Sequence, residues 1–174
     1  MKNFVFAFIV LLILLSTFFS QEKKQSEFSK SFLPLWERSS RYTLEVAMAF
    51  APDDFGFKPT REVRSFGEQL EHIAKNLYWL NSTYILEEEN PGKDLAPQTT
   101  SEIITVLARS IDYVTLSLNK LTNEELDKKV VFKNTELTKR DIFYLMRDHM
   151  THHRGQLIVY LRLRNVLPPE YFGW

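Results

Sequence analysis

Val63-Arg64-Ser65-Phe66-Gly67-Glu68-Gln69-Leu70-Glu71-His72-Ile73-Ala74-Lys75-Asn76-Leu77-Tyr78-Trp79-Leu80 is the stretch that decides the fold. Val63, Phe66, Leu70, Ile73, Leu77 and Leu80 recur at gaps of 3, 4, 3, 4 and 3, which is the spacing of one face of an α-helix. Thr60 offers an N-cap ahead of this stripe, and Asn90-Pro91-Gly92 offers a stop behind it. The pattern therefore predicts a long amphipathic helix over about 61–88.

Working outward, the same period continues on both sides. A helix is expected over about 31–50, with Leu35, Tyr42, Val46 and Ala49 inward, before Pro52, Gly56 and Pro59 break it. A third begins at Thr100 or Ser101, turns Ile104, Leu107, Ile111, Val114 and Leu118 inward, and ends near Leu121. Residues 122–137 are the least regular. Thr122-Asn123-Glu124-Glu125 reads as a capping box opening a short turn, Val130-Val131-Phe132 as extended, and Lys133-Asn134-Thr135 as a bend. Thr138 caps a last helix over about 139–166, closed by Pro168-Pro169. Four such helices with connections of intermediate length make an all-α domain, a four-helix bundle over 31–174.

Composition agrees with one domain. At 174 residues and 44 % apolar, the chain has enough material for a single hydrophobic core. Lysine plus arginine and aspartate plus glutamate both count 22 and interleave, so no net field draws nucleic acid or an anionic surface. There is no cysteine, which excludes disulfides, thiolate metal sites, a cysteine nucleophile and a lipoprotein-type N-terminus.

The first twenty residues read as an export signal outside the fold. Lys2 precedes an unbroken apolar run from Phe4 to Leu15, and Ser16, Thr17 and Ser20 bring in small polar residues. This run is shorter than the roughly 20 residues of a membrane span and suits a signal-peptide core. We expect cleavage after Ser20, a polar linker over 21–30, and a periplasmic or other extracytoplasmic location; an uncleaved membrane anchor is the alternative.

Three of the four histidines fall in Asp148-His149-Met150-Thr151-His152-His153-Arg154-Gly155-Gln156. Residues four apart on a helix project side by side, so His149 and His153 are placed to reach one ion. They also lie on the stripe where Ile142, Leu145, Met146, Leu157 and Tyr160 call for burial. An imidazole there needs a partner or suffers desolvation, and a shared metal would supply one. His72 is the third candidate. At about 1.5 Å per residue it stands near mid-height of its helix, as does the His149–His153 pair. His152 points away. Met150 stands where a zinc-protease helix needs a glutamate, so that chemistry is not met.

Three imidazoles are neutral ligands that leave the charge on the ion and one coordination position open. This points to a metal-dependent hydrolase or transferase acting on a small molecule. A non-catalytic bundle holding a metal or a small apolar ligand is the alternative, and a metal-free pair of hydrogen-bonded histidines is a third. Glu68 or Glu45 reaching the ion would close the site; Glu68, Tyr42 and Glu45 are otherwise candidates for its surroundings. Zinc and nickel lead the choice of ion, with manganese and iron also compatible.

Phe57-Lys58-Pro59-Thr60, Val63-Arg64-Ser65-Phe66-Gly67 and Leu70-Glu71-His72-Ile73-Ala74 resemble the DinB-like family. So do His149, His153-Arg154-Gly155-Gln156, Tyr160-Leu161-Arg162 and Pro168-Pro169. The resemblance runs over nearly all of the chain from Phe32 onward. It implies an up-down-down-up bundle with one long crossover, a divalent metal on three histidines that map to His72, His149 and His153, and a homodimer. The family includes transferases and isomerases that use low-molecular-weight thiols. Those thiols are cytoplasmic, which conflicts with an export signal, so that role is not carried over.

Overall fold

The computed structural model describes residues 25–172. The expected signal segment, 1–20, and the start of the linker lie outside the described residues. Among those described, no helix is long and apolar enough to cross a membrane.

Ser26 caps α1, Glu27–Met48, by accepting from the Ser29 amide at 3.0 Å. The helix thus begins earlier than its stripe predicts, and Glu27 to Lys30 are helical rather than linker. Pro34 is tolerated because it sits on the exposed face. Tyr42 and Val46 are buried as expected, but the stripe departs from expectation at its start. Phe32 and Trp36 are buried, while Leu35 is 38 % exposed. Two large aromatics bury more apolar area than one leucine, so they set the rotation of the helix.

The second helix, α2, spans Phe66–Leu80 and continues as a π-helical turn, Asn81–Leu86. It starts later than Arg61, and Thr60 is not its cap. Ser65 accepts from the Glu68 amide while the Glu68 carboxylate accepts from the Ser65 amide at 2.6 Å. A capping box needs a carboxylate or amide three residues after the cap, and Thr60 has Val63 there. Val63 is consequently outside the helix and 36 % exposed.

Thr99 caps α3, Thr100–Lys120, in a second capping box. The short helix α4, Asn123–Leu126, follows. Strands β1, Lys129–Phe132, and β2, Thr135–Thr138, pair antiparallel with Val130 opposite Leu137. Lys133 and Asn134 both take positive φ, 46° and 67°, as a two-residue primed turn requires. The chain is therefore mostly helical and not purely so: the segment expected as one extended run and a bend closes into a hairpin. Thr138 then caps the last helix, α5, Lys139–Leu163.

The directions of the helices follow from named contacts. Ser29 Oγ, at the start of α1, bonds the Leu118 carbonyl at the end of α3, so these two are antiparallel. Asn81, at the end of α2, donates to Ser117 Oγ near the end of α3 at 2.8 Å, so these two are parallel. Lys139, at the start of α5, bonds the Ile85 carbonyl after α2 at 2.6 Å, and Tyr160, near its end, donates to the Arg64 carbonyl at 2.9 Å. Hence α5 runs against α2 and alongside α1. Phe32, Trp36, Phe66, Leu70, Ile73, Leu77, Leu107, Leu118, Phe143 and Leu157 fill the core between the four.

Candidate metal centre

The functional side chains come from the facing surfaces of α2 and α5. His149 and His153, one turn apart on α5, turn their rings toward α2, with Met146, Met150 and Leu157 buried on the same helix. His72 meets them from the middle of α2. His149 Nε2 lies 3.2 Å from His72 Nε2 and 3.1 Å from His153 Nε2. The ligand atoms of all three lie within 4.8 Å of one another. The sequence-based expectation that two helices bring three imidazoles to one point describes this geometry.

Spacing and protonation both fit a metal. Nitrogens held at about 2.0–2.1 Å from one ion in tetrahedral directions are roughly 3.3–3.4 Å apart, close to the separations seen here. His153 is only 6 % exposed, and His72 and His149 are half-buried. Burial, followed by the neighbouring rings, pushes His149 down to about 4 and His153 down to about 3. Burial and then the Arg64 charge lower His72 as well. All three therefore present lone pairs at neutral pH, the form that binds metal. Three ring nitrogens cannot satisfy one another by hydrogen bonding, since each contact needs one proton between two lone pairs. An ion resolves that frustration.

Nδ1 of His149 and of His153 is buried without a hydrogen-bond partner. No carboxylate backs either ring, so neither is made anionic in character. Nor does a carboxylate join the cluster itself among the described residues. Glu68 is taken up by the Ser65 cap and by Lys58 at 2.8 Å. Glu45 lies 3.8 Å from Arg41. Neither candidate fourth ligand is engaged at the rings.

Tyr42 belongs to a different cluster. The Arg154 guanidinium sits 4.8 Å from its ring centre, and the Phe172 ring packs at 5.0 Å between centroids. Arg154 is the residue whose role the sequence did not disclose. It is 5 % exposed, and its Nη1 donates to the Ser39 carbonyl, Ser39 Oγ and Thr43 Oγ1 at 2.8, 2.9 and 3.1 Å. It thereby locks the rotation of α5 about its axis. On the other side, Gln69 donates to Gln156 and ties α2 to α5 one turn from the histidines. The signal available was Ser39 and Thr43, two hydroxyls four apart on a buried stripe, which call for a polar partner. His152 is exposed, as expected, and accepts from Gln156 at 2.9 Å.

A cleft of about 470 Å³ opens beside the cluster, with His72 in its wall together with the 58–64 loop and the outer edge of α2.

The profile of the DinB family matches residues 21–170. The chain belongs to the DinB family. The Bacillus subtilis protein YjoA is 27 % identical over 124 residues, covering 69 % of this chain and 80 % of that one. The crystal structure of that DinB-like protein superposes with a TM-score of 0.68 at 21 % identity, over 81 % of this chain and 96 % of that one. A DinB-like protein from Bacillus cereus gives 0.71 at 16 % identity, over 85 % and 99 %. At such identities these structures establish the DinB-like fold; the site stands on this chain's own residues.

Proposed function

We propose that this DinB-family chain holds one divalent ion on His72, His149 and His153 and uses it in hydrolysis or group transfer on a small molecule. The observation that carries the reading is the convergence of three Nε2 atoms with no carboxylate in the cluster. An ion held this way supplies Lewis acidity to a substrate oxygen with its full charge intact.

The protein's own contribution is positional. Arg154 and the Gln69–Gln156 contact hold α5 against α2, so the rings are set before any ion arrives. Half-exposure of His72 in the cleft wall gives a small molecule a way to the cluster. A closed, purely structural site would require a fourth protein ligand, and Glu45 and Glu68 are both engaged elsewhere. Zinc and nickel suit three imidazoles; manganese and iron are the other choices. Export is part of the proposal, supported by the Phe4 to Leu15 run and the small polar residues after it.

The test is metal analysis of tag-free protein beside His149→Ala. About one ion per chain in the parent and a loss of most of it in the variant is the expected pair of results. Equal metal content in both ends the reading. A screen over esters, amides and thiol conjugates would then address the reaction.

A further inference from the structure

The cleft beside His72 has an unusual wall. Val63 is its one apolar side chain; every other residue lining it is charged or histidine. Such a surface suits a polar ligand and argues against the apolar ligand that the bundle fold alone would allow. Two of its lysines are already neutralised: Lys58 pairs with Glu68 at 2.8 Å, and Lys75 pairs with Glu71 one turn along α2. Glu62 is occupied by a hydrogen bond from Thr60. Arg61 and Arg64 remain. Neither guanidinium has a hydrogen bond or ion pair among the described residues, although three carboxylates lie in the same wall.

We propose that Arg61 and Arg64 anchor an oxyanion, carboxylate or phosphate, carried by the small molecule on which the three-histidine centre acts. The inference rests on the metal-centre reading and adds the substrate class. Guanidinium groups present a planar fork of donors that matches two oxygens at once, which an ammonium does not. The two arginines are three residues apart in the turn that precedes α2. Arg61 and Arg64 line the same cleft wall as His72. An anion held there occupies the cleft onto which that ring opens, and both guanidiniums gain the counter-charge they lack.

The probe is inorganic phosphate, titrated calorimetrically into the metal-loaded full chain. Arg61→Ala/Arg64→Ala is expected to weaken its binding at least about fivefold, the loss of one charge-assisted contact or more. Ion content per chain should stay at the parent value, and Arg61→Lys/Arg64→Lys should fall between the two. Both arginines are exposed in a loop, so the variants keep the core intact. Absence of saturable phosphate binding in the parent, or a smaller change in the alanine pair, overturns the proposal. Should the parent retain no ion, the metal reading fails separately. The same titration on metal-free protein then decides the arginines: dependence on them supports the anion anchor, and independence overturns it.

Discussion

Arg154 Nη1 donates to the backbone carbonyl of Ser39 at 2.8 Å, joining the turn of α5 that carries His153 to the middle of α1. The guanidinium is buried and its partners are a carbonyl, the three hydroxyls of Ser39, Thr43 and Thr151, and an aromatic face, with no carboxylate among them. Burial lowers its proton affinity somewhat, so the charge is retained at a desolvation cost that those contacts offset. Arg154→Ala removes them all and leaves a cavity. We expect a loss of about 2–4 kcal/mol in urea unfolding, and weaker metal binding because α5 is freer to rotate. A variant of parental stability would show that this contact does not fix the helix.

Acid should unfold the metal-free protein in a window set by the histidines. His149 and His153 are depressed to about 4 and about 3, whereas an unfolded histidine titrates near 6.5. Between those values the unfolded chain binds protons that the native chain does not. Stability is therefore full above pH 6.5 and falls as pH drops toward 4. The carboxylates of the helix caps act in the same direction but only below their own range, so pH 5 to 6.5 isolates the histidines. Melting temperature against pH should be steeper there for the parent than for His149→Ala/His153→Ala. Parallel curves would exclude burial of neutral rings.

How much of this was readable in the sequence divides along physical lines. The 4-3-4-3 spacing from Phe66 to Leu80 and the four-residue step from His149 to His153 are local properties of one helix, and both are found as expected. Which residue begins the buried stripe of α1 is not a local matter. Leu35 and Trp36 compete for the same buried side, and the outcome depends on Thr115 of α3, which accepts from the Trp36 indole at 2.9 Å. Ser65 outcompetes Thr60 through Glu68, a local signal that the sequence carries. The placement of His72 opposite the other two depends on Gln69 meeting Gln156 and Tyr160 meeting Arg64, contacts between residues far apart in the chain. Nothing in periodicity announces them.

Glu68 separates a cap from an acid–base residue. Its carboxylate is held low by Lys58 and by the Ser65 amide, so it is ionised and engaged. Glu68→Gln keeps the shape of the capping box and should change stability little, with ion content unchanged. Ser65→Ala should cost about 1 kcal/mol, read by chemical denaturation. Loss of metal in Glu68→Gln would return this residue to the centre.

Removing the metal should be visible as a fall in melting temperature. A ligand at about 100 times its dissociation constant stabilises the native state by about 2.7 kcal/mol. A domain of this size shifts by about 2–4 °C per kcal/mol, so the difference between loaded and chelator-treated protein should be roughly 5–11 °C. His72→Ala should abolish the shift, because it takes away the α2 side of the cluster. His152→Ala should preserve it, because that ring is exposed and lies outside the three that converge. A shift that survives His72→Ala would place the ion on the His149–His153 pair alone. A shift lost in His152→Ala would mean the ion binds at the surface of α5.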